Sequence, residues 1–146
     1  MKGTGGASTG AAALILLLLA ATAGLAQSGA GLTALAQLRP GLWQLRDLDR
    51  RGSRPQSICV RDANILMQIQ HRNSPCSRIV ISNAADEATV HYTCPSNGFG
   101  RTSIRVETPR LVQVDTQGIS AGVPFAYRLE ARRTGACPAS NNKAGR

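Results

Sequence analysis

Residues 100–130 read GRTSIRVETPRLVQVDTQGISAGVPFAYRLE. Two alternations frame this stretch. Thr102, Ile104 and Val106 alternate with Arg101, Ser103 and Arg105. Val123, Phe125, Tyr127 and Leu129 then alternate with Pro124, Ala126, Arg128 and Glu130. A period of two puts one set on each face of a pleated strand, so both segments read as strands with one buried face. Thr108-Pro109 breaks the first, Leu111–Thr116 is a further strand, and residues 118–122 form a turn. Pro124 falls at the start of the last strand, which ends at Glu130, where a missing N–H is tolerated. Strands joined so closely must run antiparallel, because a parallel pair needs a long crossover.

The same signals extend towards the N-terminus. Arg78–Asn83 and Ala88–Cys94 flank Ala84–Glu87 as a hairpin. Leu42–Asp47 is a first strand, residues 49–55 (DRRGSRP) a polar turn, and Gln56–Arg61 a second strand. Asp62 caps a short helix through Gln70, with Ile65, Leu66 and Ile69 on one face. Two turns of helix need tertiary packing to persist. Trp43, the single tryptophan, is expected in the core beside Leu42 and Leu45. The expected fold is mainly β: a curled antiparallel meander of about seven strands, open-barrel or half-barrel like, with one short helix over one side or end. The β-rich domain runs from 40 to 137. A loose lead-in with at most one helical turn occupies 27–39, and residues 138–146 read as a disordered polar tail.

Residues 1–26 read as a signal peptide. Lys2 is followed by the uncharged apolar run 11–21 (AAALILLLLAA), then by small residues at 21–23 and 24–26. The cut is expected after Ala26, with Ala23 as the alternative. The run is shorter than the roughly 20 apolar residues of a spanning helix, so the processed protein is not expected to span a membrane. The expected location is the periplasm or the secreted fraction. The 120 residues from Gln27 suffice for one domain with its own core.

Loss of Lys2 takes the 17 basic residues to 16 against 8 acidic ones, a formal charge of +8. Apart from Lys2 and Lys143 every cation is an arginine, and only Arg50-Arg51 and Arg132-Arg133 are adjacent. Such a surface suits anionic partners, although dispersed charge bears on solubility first. Five aromatic residues must also serve the core, which leaves little for base stacking, so no specific nucleic-acid partner is expected.

If the 84–87 turn centres on Ala85, opposed residues sum to 170: Ile81 faces Thr89, Ile79 faces His91, and Cys76 faces Cys94. Directly opposed positions bring side chains within disulfide reach. Cys59 and Cys137 then remain as a pair. Structural zinc favours closely spaced cysteines. Here every gap is wide, so no metal site is expected and disulfides fit an exported chain.

His71 and His91 have no marked nucleophile or orienting carboxylate, so no catalytic residue is assigned and no enzyme is expected. Asp115 and Glu130 fit cross-strand pairing with Arg105 or Arg128 better than a glycosidase pair. The 98–100 stretch lacks the features of a phosphate loop, and no cofactor is expected.

Residues 40–44 (PGLWQ), 56–60 (QSICV) and 132–137 (RRTGAC) carry a family likeness. The chain resembles an exported proteobacterial family, the domain of unknown function numbered thirty-six seventeen, with its Pro-Gly-Leu-Trp opening, early strand cysteine and Gly-x-Cys end. Gln44 stands where that family usually has glutamate. The resemblance implies an envelope location and a β-rich disulfide-bonded domain, with Cys59 and Cys137 matching the family's cysteines. It implies no activity. The function expected is a non-enzymatic module binding a small apolar or acidic ligand, with Arg101, Arg105 and Arg128 as the anion-contacting rim. The alternative is an interaction protein docking on an envelope protein or an anionic surface.

Overall fold

The computed structural model describes residues 31–139, with residue 3 standing alone before them. The signal peptide expected at 1–26 and the tail from 140 onward lie outside the described residues. Seven strands follow in order: β1 (Gly41–Asp47), β2 (Gln56–Val60), β3 (Ser77–Asn83), β4 (Glu87–Cys94), β5 (Gly98–Thr108), β6 (Leu111–Ser120) and β7 (Val123–Gly135). They form one open sheet in the order β2-β1-β7-β6-β5-β4-β3, with every neighbour antiparallel. The mainly β class and the strand number are those the alternation predicts. From β3 to β7 the chain is a meander, and β1 then pairs with β7 rather than beginning the row.

That pairing explains why β7 outruns the expected end at Glu130. Ala131 pairs with Leu45 and Gly135 with Leu42, so residues 131–135 are held by β1 although they carry no large apolar alternation. β6 also runs on to Ser120. The turn to β7 shrinks to Ala121 (φ 49°) and Gly122 (φ 79°), two left-handed residues as a tight hairpin of this twist requires.

The β3–β4 register keeps Ile79 opposite His91 and Val80 opposite Val90, then slips. Ser82, not Ile81, faces Thr89, so the expected Ile81–Thr89 pair is replaced by a β-bulge at Ile81. The slip lies on the turn side of Val80. The cysteine end therefore keeps its register, and Cys76–Cys94 is a disulfide with Cα atoms 4.2 Å apart. Cys59–Cys137 is the second, at 5.3 Å.

The expected helix over 62–70 is a 3-10 segment, Ala63–His71, broken at Gln68 (φ −139°, ψ 45°). The Asp62 carboxylate caps it, accepting from the backbone N–H of Asn64 at 2.9 Å. Leu66 and Ile69 are buried as expected, and Ile65 is half-buried. Among the described residues the one α-helix is the single turn α1 (Thr33–Ala36). Its segment is not loose: Leu32, Ala34, Leu35 and Leu38 are all buried. Short helices find their stability in such packing.

The 3-10 segment touches both β2 and β4. It also touches β5 and β6, so it lies across one face of the open sheet, which does not close on itself. Trp43, Tyr92, Leu66, Met67, Ile104, Val112 and Val114 fill the space between. Trp43 is fully buried and donates from Nε1 to the Arg39 carbonyl at 3.1 Å. Thr102 and Thr116, buried in mid-sheet, satisfy each other at 2.7 Å.

Candidate functional site

The expected rim residues, Arg101, Arg105 and Arg128, all lie on the outer, convex face of the sheet. Arg101 and Arg105 stand on β5, opposite Gln117 and Gln113. Arg128 stands on β7, opposite Asp115. All three are exposed, but they do not form one free cationic face. Arg105 pairs with Glu107 at 3.2 Å. Arg128 donates Nε and Nη2 to Asp49 Oδ1 at 3.1 and 2.7 Å, and its backbone N–H donates to Asp49 Oδ2. The expected partners differ too. Glu130 pairs with Arg46 and Arg132. Asp115 faces Arg128 across the ladder but loses its guanidinium to Asp49.

Asp49 belongs to the β1–β2 loop, and its contact with Arg128 is a latch. Hydrogen bonds from the Arg128 side chain and backbone hold the Asp49 carboxyl below the usual carboxylate range. Asp47 shapes the same loop: its Oδ1 accepts from the backbone N–H groups of Asp49 and Arg50. This is an Asx turn.

The latched loop borders a cleft of about 610 Å³ on the inner face of the sheet. Three parts of the chain build it. β1 and β7 supply Leu45, Tyr127 and Leu129 as a floor; the loop supplies Arg50, Ser53 and Arg54; the end of the 3-10 segment supplies Ile69, Gln70, His71 and Arg72. Asn73, Ser74 and Asn97 complete the polar wall. Arg50 lies 3.6 Å from Asp47. Among the described residues neither Arg54 nor Arg72 forms an ion pair.

His71 is buried under this wall. A carbonyl can only accept, so Nε2–H donates to the Asn97 carbonyl at 3.2 Å, and Nδ1 accepts from the Tyr92 hydroxyl at 3.2 Å. Both ring nitrogens are engaged in holding the wall. Gly100 makes room for this: a Cβ there would strike the Tyr92 ring, with Cζ at 2.6 Å. Burial pushes the Tyr92 phenol up, with the neighbouring Thr116 and Thr102 hydroxyls opposing the shift. Tyr127 donates to Gln70 Oε1 at 3.2 Å, and burial pushes its phenol up to about 12. His91 lies on the outer face beside Phe99, with ring centroids 5.9 Å apart. No group of three His, Cys, Asp or Glu side chains gathers among the described residues.

The sequence reading missed the cleft cations. Arg50 and Arg54 sit in what reads as a polar turn, and Arg72 follows a helix end. The available signal was density, with Arg50, Arg51 and Arg54 falling within five residues. No family model matches the chain, and neither a curated protein nor a solved structure matches it.

Proposed function

We propose that this chain is an exported, non-enzymatic binding module that takes a small acidic amphiphile in the cleft between the β1–β2 loop and the end of the 3-10 segment. The observation that carries this reading is the pairing of two unmatched cations, Arg54 and Arg72, with an apolar floor of Leu45, Ile69 and Leu129. Guanidinium groups bind carboxylate or phosphate with directed pairs of hydrogen bonds. A cleft of about 610 Å³ falls in the range of small-molecule sites. The export setting rests on the leader-like residues 1–26 and the resemblance to an exported family. The two disulfides fit an oxidising compartment, and among the described residues no helix is long and apolar enough to cross a membrane.

The test uses anilinonaphthalene sulfonate, an anionic aromatic dye, with octanoate and octyl phosphate as competitors. Dye fluorescence should rise on binding and fall on competition. Arg54→Ala/Arg72→Ala should weaken binding by at least about tenfold, the effect of losing one or two charge-assisted hydrogen bonds. Arg101→Ala/Arg105→Ala should leave it unchanged. Equal losses from both pairs would reduce the effect to non-specific attraction and sink the cleft reading.

A further inference from the structure

β3 is an edge strand unlike the others. All seven of its residues are exposed, and three in succession are β-branched apolar side chains: Ile79 at 66%, Val80 at 49% and Ile81 at 55%. Its one charge is Arg78, which donates to Asn64 Oδ1 at 2.9 Å. Edge strands are commonly blunted by lysine, proline, inward-pointing charge or a bulge. Of these β3 has only the bulge at Ile81, and Cys76–Cys94 ties its start to β4. Its bulge at Ile81 sharpens the local twist but leaves the apolar residues outward.

We propose that this edge pairs with β3 of a second copy, antiparallel and centred on Val80. The occupant follows from the strand's own sequence, Ser77-Arg78-Ile79-Val80-Ile81-Ser82-Asn83, which is near-symmetric about Val80. In that register Val80 meets Val80 of the partner copy, Ile79 meets its Ile81, and Arg78 meets its Ser82. Cross-strand pairs of β-branched residues are stabilising, and like charges directly opposed are not. The two Arg78 side chains are set four residues apart, about 14 Å along the strand. That exceeds the screening length of about 8 Å at physiological ionic strength, so the basic chains meet without an opposed charge pair.

The geometry also limits the assembly to two copies. Pairing identical edges is isologous and closes on itself. The far edge, β2, offers no equivalent: Ile58 and Val60 are buried and Cys59 is bonded to Cys137. Three apolar side chains a copy make a contact smaller than the roughly 1,200–2,000 Å² of standard interfaces. The dimer is therefore weak and depends on concentration. No residue of β3 lines the cleft.

The test is sedimentation velocity of the exported protein from low-micromolar to high-micromolar concentration, with hydrogen exchange read at the β3 amides. A monomer–dimer equilibrium is expected, with β3 amides protected as concentration rises. Ile79→Lys/Ile81→Lys opposes lysines at both outer rungs and should weaken the dimer at least tenfold. Ile79→Lys/Ile81→Glu puts a lysine opposite a glutamate at both rungs and should restore much of it. Circular dichroism and intact disulfides confirm that each variant is folded. A monomer throughout the range overturns the proposal, whether a different partner or the chain's own terminal residues cover the edge. So does a dimer indifferent to the lysine pair, or a lysine–glutamate variant no better than the double lysine.

Discussion

Trp43 shows how one residue joins sequence to core. Its ring lies between the sheet and the covering helices with no exposed surface, and its indole N–H is satisfied by Arg39. Trp43→Ala therefore removes the largest core side chain and its hydrogen bond to the Arg39 carbonyl. Stability should fall by about 3–5 kcal/mol, read from urea denaturation. An unchanged midpoint would mean the site collapses without cost. Tyr127 and Tyr92 give a second residue-scale test. Both phenols are raised in the folded state, Tyr127 to about 12, because burial disfavours the phenolate. A raised folded pKa means the contribution is complete below the unfolded value near 10 and is lost as pH rises through about 12. Ultraviolet titration of the native protein should show little phenolate at pH 10, and stability should decline across that window. Trp43 was legible in the sequence because its size and neighbours demanded burial. The network of His71, Tyr92 and Asn97 was not, because its members are distant in the chain and share no period.

At the scale of elements, the alternating strands were readable and the connections were not. β4 alternates apolar with polar residues along its length, as β7 does from Tyr127 to Glu130 and β5 from Ser103 to Glu107, and burial follows the alternation in β5 and, apart from the buried Thr89, in β4. β3 reads as a strand by propensity alone, and its exposure follows from its place at the edge. The β1–β2 loop reads as a bare polar turn, yet Asp49 fastens it to Arg128 beside the cleft. Asp49→Ala should free the loop, seen as faster exchange of the Arg128 amide, and should weaken dye binding in the cleft without unfolding the sheet. The latch should also fail in acid. The Asp49 carboxyl is held below its ordinary range, so the pairing contributes above that range and is lost as pH falls through the lowered value. Amide exchange at Arg128 that ignores both the mutation and acid would show that the loop stands without the latch.

The whole molecule combines a local meander with one distant closure. β3 to β7 form by successive hairpins, whereas β1 must find β7 some ninety residues along, as Leu42 finds Gly135. That non-local pairing was not visible in the sequence because strand periodicity reports which face is buried and says nothing about which neighbour is chosen. Loop closure makes such a pairing entropically costly, so it is the natural place for the molecule to open. Cys59–Cys137 spans the same seam with a sequence separation of 78, and on the chain-entropy model it is worth about 4.5 kcal/mol, against about 3 kcal/mol for Cys76–Cys94. Native-state hydrogen exchange should then split the variants. With Cys59→Ser/Cys137→Ser, amides of β1 and β2 should open as one unit at lower free energy while the centre of β4, β5 and β6 stays protected. With Cys76→Ser/Cys94→Ser, the loosening should centre on β3 and leave β1 near its original protection. Uniform loss of protection across all seven strands in both variants would make the sheet a single cooperative unit, with the β1–β7 seam no weaker than the meander it closes.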